Sequence, residues 1–415
     1  MKSLSITRLQ PEEDVPHLLL AIPWGIGDAI SVGLSAVDQI TRNDPDSHVK
    51  IEVVCNRLQS ELLEHDPRIY RLIQVDTGLF PSGEAGSWKR GIVLPPATEK
   101  LAEFLRAQNY SAVMPFLFSP TFFYRLHTPV IFLSPREVWH LFCVLKRYGE
   151  VSLQTFIRQI INRYFGEKLP EPAGDEAIPL YICREHVQNA MREMGWIKGQ
   201  ASVFGEQVKV LLVAPDTSSV VTRPPTSLLA EGIAGALKRH DDLLVAVIPG
   251  YSDCNAVPNL MRALAPSFPG RIVPVPAEPK RPLPELAAFI DQSDIVITGD
   301  TGIMHLAVAT KKIPHAAGEG DAYTPRNAVK IIVLYGGTHP GLYGYNKRTL
   351  TLGKWRKEQR ALVPGLMKDL YHAEGKNLFD HIPPQQLTDA ILSQLRAPVS
   401  SYYSRQNTRP IARGA

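Results

Sequence analysis

The sequence predicts an α/β protein made of two parallel-sheet domains, and three observations carry that prediction. Short apolar runs alternate with amphipathic segments from end to end, which is the pattern of βα units and not of a β-sandwich. The chain has 415 residues, too many for one ordinary core when a domain takes about 100 to 200. Its residues are 44% hydrophobic and 21% charged, enough apolar side chain to fill cores and enough charge to keep the surface wet.

In the first half, strands are predicted at residues 17–22, 49–55, 72–75 and 112–118, each bounded by turn-forming or charged residues. The second half has runs at 208–214, 243–248, 271–275, 294–298 and 330–335. Between them lie helical patterns such as 227–240, where Leu229, Ile233, Ala236 and Leu237 fall on one face. The weakest patterning, "GWIKGQASVFG" at 195–205, marks the expected linker between a first domain at 1–198 and a second at 199–395. Residues 396–415 are polar and punctuated by Pro and Ser, and read as a frayed tail. Residues 119–170 carry aromatic and basic side chains at helical spacing, from Phe122 and Tyr124 to Trp139, Tyr164 and Phe165. That pattern fits core packing, and also a helix facing a membrane or an acceptor.

The formal charge of +4 comes from 45 basic against 41 acidic residues; it permits a phosphate-bearing ligand without arguing for one, and nucleic acid is not an expected partner. Cys55, Cys143, Cys183 and Cys254 form no CxxC pair, which disfavours a zinc ribbon or disulfide scaffold and suits buried thiols in a reducing compartment. The N-terminus has acidic residues where a signal peptide needs its apolar stretch, and no window reaches about 18 uninterrupted apolar residues. A cytoplasmic protein is expected, at most peripheral to the inner face of a membrane.

Two strand-to-helix junctions carry the chemistry. In a parallel sheet the loops at the carboxyl ends of the strands form the ligand crevice. The first junction, "AIPWGIGDAISV" at 21–32, sets Gly25 and Gly27 in a turn and Asp28 at the start of a helix. The glycines allow close backbone approach, and Asp28 reads either as a helix cap or as a carboxylate at the crevice lip. The dinucleotide fingerprint fails here: Ile30 stands where a third small residue is needed, and Val53-Val54-Cys55 ends the next strand without an acid.

The second junction is "DTGIMHLAVAT" at 300–310. The amides of Thr301, Gly302, Ile303 and Met304 are expected as first-turn donors able to hold a diphosphate, on a helix ending near Lys311 and Lys312. Thr301 adds a hydroxyl and Gly302 removes an obstructing side chain. Asp300 would repel phosphate, and reads as a cap or as an acceptor for sugar hydroxyls. His305 reads as a packed histidine or as a ligand contact.

"DIVITGDTGIMHLAVATKKIP" resembles the C-terminal signature of glycosyltransferase family 9, the ADP-heptose:lipopolysaccharide heptosyltransferases, whose hallmark is D-T-G-x-x-H-x-A after an apolar strand. "GIGDAISV" resembles the family's N-terminal turn, "RPLPELAAFIDQSD" the helix before the signature, "IVLYGGTHP" its next strand and loop, and "IPPQQLTDAILSQL" its closing helix. The resemblance implies a GT-B architecture, two Rossmann-like domains facing each other across a cleft. A nucleotide-diphospho-sugar would sit mainly on the second domain, and a saccharide or lipid-linked acceptor on the first. It further implies Asp28 as general base, the Asp300-Thr301-Gly302 block on the donor, inversion, and no tightly bound metal or other cofactor. A catalytically inactive sugar-nucleotide-binding protein and a GT-B-type epimerase are the alternatives.

Two departures stand out. The family places a Lys in the loop after the first strand of the second domain, where this chain offers Arg223 in "APDTSSVVTRPPTSLL"; Arg can serve a phosphate bidentately. An extra stretch at 315–329 separates the signature helix from the next strand, and is expected beside the donor site. Gly337 and Thr338 in "GGTHPG" are candidate nucleotide contacts, while Asp44-Pro45-Asp46 reads as a solvated turn and not a metal motif.

Overall fold

A computed structural model describes residues 4–7, 15–22, 25–46, 48–76, 96–115, 126–131, 153–165, 178–200, 208–217, 222–249, 255–277, 280–314, 323–336, 338, 345, 349–353 and 378–397. The first lobe comprises β1 (Leu4–Thr7), β2 (His17–Ala21), α1 (Ile26–Asp28), which runs through a π-helical stretch (Ala29–Leu34) into α2 (Ser35–Asn43), then β3 (Lys50–Cys55), α3 (Arg57–Leu63), β4 (Arg71–Val75), α4 (Pro96–Arg106), β5 (Ala112–Pro115) and α5 (Leu153–Tyr164). A crossover segment follows, β6 (Pro179–Tyr181) and α6 (Arg184–Gln200). The second lobe holds β7 (Lys209–Ala214), α7 (Thr226–Leu237), β8 (Leu243–Val247), α8 (Ala256–Leu264), β9 (Ile272–Pro274), α9 (Leu283–Asp291), β10 (Ile295–Gly299), α10 (Gly302–Val308), β11 (Thr310–Lys312), β12 (Lys330–Leu334), β13 (Thr349–Leu352) and α11 (Pro384–Arg396).

The fold is α/β, with two parallel sheets. The second sheet has the order β13-β12-β10-β7-β8-β9, and every pairing in it is parallel. In chain order that is 3-2-1-4-5-6, the doubly wound Rossmann arrangement, with its switch point between β7 and β10. The first sheet, β1-β4-β3-β2-β5, repeats the 3-2-1-4 half of that order, so its switch point lies between β2 and β5. Helices cover both faces of such sheets, so their central strands are apolar without alternation. Leu18, Leu19, Leu20 and Ala21 of β2 are all fully buried.

β1 is a polar-flanked edge strand antiparallel to β4, invisible to apolar patterning. β11 lies where a helix end was expected: α10 stops at Val308, and Lys311 belongs to a strand paired with β6. The dipole argument survives in space, because buried Lys311 turns its Nζ back to donate to the Ala307 carbonyl at 3.1 Å.

Sheet β6–β11 and helix α6 sew the lobes together. α6 packs against α9 of the second lobe, with Asn189 Nδ2 donating to Glu285 Oε2 at 2.8 Å and Arg281 paired with Glu193. This helix continues to Gln200, so the first residues of the expected linker are helical. Val187, Ala190, Met194 and Ile197 form its buried stripe, and Gly195 and Gly199 face open space, which weakened the pattern in sequence without breaking the helix.

The described part of the aromatic and basic region is α5, which packs on α2 through Ile157, Ile160 and Ile161, and whose Asn162 accepts from Gln39 at 2.8 Å. Phe122, Tyr124 and Trp139 lie outside the described residues. Among the described residues, no helix is long and apolar enough to cross a membrane.

The extra stretch was expected beside the donor site, and its described part, 323–329, is elsewhere. Arg326 donates to the Gln292 carbonyl at 2.7 Å, and the Asn327 amide to Asp291 at 3.0 Å. Those partners precede β10, so this part lies at the amino edge of the sheet, opposite the carboxyl ends. Sequence spacing placed the stretch after α10, but α10 itself runs back from one edge to the other. Residues 315–322 lie outside the described set.

Candidate functional site

Both junctions stand at switch points, the first at the carboxyl end of β2 and the second at that of β10. In the first, Asp28 is the third residue of α1 and folds back so that its Oδ2 accepts the Gly25 N–H at 3.3 Å. A Cβ on Gly25 would lie 2.6 Å from that oxygen, so glycine makes room for the carboxylate. The turn is held from two sides. Gln59 donates to the Gly25 carbonyl at 3.1 Å, and Ser31 to the Gly27 carbonyl at 2.8 Å. Gln59 is itself fixed in a capping box: its amide donates to Asn56 Oδ1 at 2.9 Å and its Oε1 accepts the Asn56 amide at 3.1 Å. Burial pushes the Asp28 carboxyl above its ordinary range, against the opposing effect of the Gly25 hydrogen bond.

At the second junction Thr301, not Asp300, caps the helix. Its hydroxyl accepts the Ile303 amide at 3.2 Å and meets Thr298 Oγ1 at 3.1 Å, while its carbonyl accepts the amides of Met304 at 3.0 Å and His305 at 3.4 Å. Asp300 is therefore spared capping. Burial raises its pKa to about 6; the Thr338 hydroxyl works the other way, and the Asp28 charge raises it further. The charge of Asp28, on the first lobe, thus acts on the Asp300 carboxyl of the second.

Fewer first-turn amides are left for a ligand than the sequence suggests. The amides of Ile303 and Met304 are engaged within the turn, which leaves those of Thr301 and Gly302 as the expected phosphate donors. Gly302 does not open onto free space: a Cβ there would lie 3.0 Å from the Cβ of Ile26. Its missing side chain lets the two lobes approach. Met304 is buried, and its sulfur accepts the Tyr335 hydroxyl at 3.2 Å.

His305 is a packed residue. Its Nδ1 is hydrogen-bonded to the Tyr345 hydroxyl at 2.6 Å, and burial lowers its pKa to about 4. A neutral ring offers no countercharge to a diphosphate. Its other edge rests on Gly27, where a Cβ would lie 2.6 Å from Cδ2. Gly27→Ala must displace the ring or part the lobes, so we expect a loss of about 1–3 kcal/mol of stability by overpacking, read as a lower urea midpoint.

Arg223 lies at the switch point, on the loop crossing the end of β10, since a Cβ on Gly299 would come within 2.4 Å of the Thr222 carbonyl. Its guanidinium is already engaged, 3.3 Å from Asp216 and donating to the Thr217 carbonyl at 2.8 Å. Asp44 accepts the Val49 amide at 2.6 Å and sits 3.1 Å from His48, a local turn far from this cleft in the fold. Gly337 lies outside the described residues.

Sequence reasoning missed Gln59, Tyr345 and Asp216. The Asn56-x-x-Gln59 box was a readable helix start, but nothing local linked it to Gly25. Tyr345 carried no signal at all, because its role depends on a contact 40 residues away.

Residues 258–314, from within α8 through β11, match glycosyltransferase family 9 (heptosyltransferase). Among solved structures, the ADP-heptose lipopolysaccharide heptosyltransferase II of E. coli is 15% identical with a TM-score of 0.59, covering 91% of this chain and 98% of its own. A family 9 glycosyl transferase from Veillonella parvula is 17% identical with a TM-score of 0.60, over 93% and 98% of the two chains. E. coli heptosyltransferase WaaC with ADP is 15% identical with a TM-score of 0.51, over 85% and 99%. A comparison with curated protein sequences finds no match. The chain is thus similar to glycosyltransferase family 9 over the segment that carries the second junction, and has the GT-B fold of these structures.

Proposed function

We propose that this protein is an inverting glycosyltransferase, with no metal at the reacting centre, that moves a sugar from a nucleotide-diphospho-sugar to a saccharide or lipid-linked acceptor. The carrying observation is that the turns bearing Asp28 and Asp300, from opposite lobes and at paired switch points, pack against each other through Gly27 on His305 and Gly302 on Ile26. Asp28 takes the proton from the acceptor hydroxyl as its oxygen attacks the anomeric carbon. The bond to the nucleoside diphosphate breaks on the opposite face, and the departing charge is held by the amides of Thr301 and Gly302. Arg223 adds countercharge once phosphate displaces Asp216. Asp300 accepts hydrogen bonds from the donor sugar.

The ADP-heptose named for one structural neighbour and the ADP held by another support an ADP-linked heptose as donor. A lipid-linked acceptor would place the reaction in the cytoplasm at the inner membrane face. One observation favours a second reading, a sugar-nucleotide-binding protein without transfer: the Arg223 guanidinium is already paired.

A thermal-shift screen of nucleotide sugars, followed by transfer assays, tests the proposal. A donor at 100 times its Kd adds about 2.7 kcal/mol and should raise Tm by a few degrees, ADP-sugars above others. Transfer to an acceptor is expected to follow. Binding without transfer supports the second reading, product from donor alone means an epimerase, and no shift with any nucleotide sugar overturns all three.

A further inference from the structure

His65, Cys183 and His186 place their ligand atoms within 4.8 Å of one another. His65 follows α3 on the first lobe, Cys183 immediately precedes α6, and His186 lies in the first turn of that helix. The imidazole rings of His65 and His186 are 5.2 Å apart. His186 Nδ1 is buried with no hydrogen-bond partner, an arrangement that costs free energy unless something fills it. Cys183 is a half-buried free thiol.

The segments that bear them are held by contacts that need no ligand, and His65 Nε2 lies 3.4 Å from Glu64. Arg68 pairs with Asp66 at 2.6 Å and reaches across to donate to the Pro179 carbonyl at 3.3 Å, which fixes the loop bearing His65 against β6. Its guanidinium also lies over the Tyr181 ring at 5.0 Å. The Ile182 amide donates to the Lys312 carbonyl at 2.8 Å, which extends the β6–β11 pairing to the residue before Cys183. Backbone pairing and buried charge thus fix the two segments from which the three side chains converge.

We infer that His65, Cys183 and His186 form a zinc-binding site that staples the first lobe to the crossover helix. Two imidazoles and one thiolate suit borderline-soft Zn²⁺, which takes such N and S ligands tetrahedrally at about 2.0–2.3 Å. Ligand atoms around one ion would stand roughly 3.5 Å apart, so the present spacing closes by small side-chain rotations. The fourth position is left to water. The site lies at the opposite end of α3 from Gln59, so a bound ion would also brace the helix that holds the Gly25 carbonyl.

Zinc is titrated into the full, metal-stripped chain by calorimetry, beside Cys183→Ser, His65→Gln and His186→Gln, each checked for folding by circular dichroism. One equivalent should bind the parent chain, weakened at least about 100-fold in each variant, and zinc should raise Tm only in the parent. Cobalt in place of zinc should give a thiolate-to-metal absorption band, lost in Cys183→Ser. Zinc binding left unchanged by all three substitutions, no binding to the parent chain, or a cobalt complex lacking the thiolate band would overturn the site.

Discussion

Asp28→Asn is expected to lower glycosyl transfer by about two to four orders of magnitude, the usual worth of a positioned base, while donor affinity stays within about threefold. The separation follows from what the side chain does. Asn keeps an oxygen that can accept the Gly25 N–H, so the turn that Gln59 and Ser31 also hold should survive. It loses the negative charge and the capacity to take a proton. The proposed diphosphate donors, the Thr301 and Gly302 amides, belong to the other lobe and keep their groups in this variant. Because burial holds the Asp28 carboxyl above its ordinary range, the rate in the parent enzyme should fall on acidification at a pH above that of a solvent-exposed carboxylate. Single-turnover transfer assays with donor calorimetry read both quantities, and a variant that transfers normally would remove Asp28 from the mechanism.

Asp300→Asn should trade function for stability. The Asp300 pKa rises from 3.8 to about 6 on folding, so the native chain holds this proton more tightly than the unfolded one. Stability is then fully present below about pH 4 and is lost as pH rises toward 6, up to about 3 kcal/mol at 1.36 kcal/mol per unit. The neutral amide escapes that loss. The variant should match the parent below about pH 4 and exceed it above pH 6, with Tm higher by several degrees at neutral pH. Donor affinity should fall about 10- to 100-fold, because hydrogen bonds from sugar hydroxyls to a charged acceptor are replaced by bonds to an amide. Urea denaturation across pH 3 to 8 and donor titration check the two halves. A variant with unchanged donor affinity would take Asp300 out of the donor site.

Much of this was legible in the sequence because parallel strands buried on both faces write continuous apolar runs. β2, β3, β7, β8, β10 and β12 fall within a residue or so of their predicted positions. The two junctions were legible because glycine, aspartate and threonine between a strand and a helix have few local explanations. Facing contacts were not. Gly302 reads in sequence as room for a phosphate, yet it stands against Ile26, and Gly27 stands against His305. Both glycines serve the lobe interface, a relation between residues some 275 positions apart that no local pattern encodes. Similarly, β1, β6, β11 and β13 are short strands whose pairing partners, not their own residues, make them strands. α6 hid behind two solvent-facing glycines, and the 323–329 segment was misplaced because α10 carries the chain to the far edge of the sheet.

The most direct test of two lobes meeting in one cleft is the titration of Asp300 by ¹³C NMR of its carboxyl carbon, in the parent chain and in Asp28→Asn. Removing the Asp28 charge should lower the Asp300 pKa from about 6, since that charge helps to raise it. An Asp300 titration identical in both proteins would mean that the two carboxylates do not share a cleft, and the base and the donor anchor would have to be sought elsewhere.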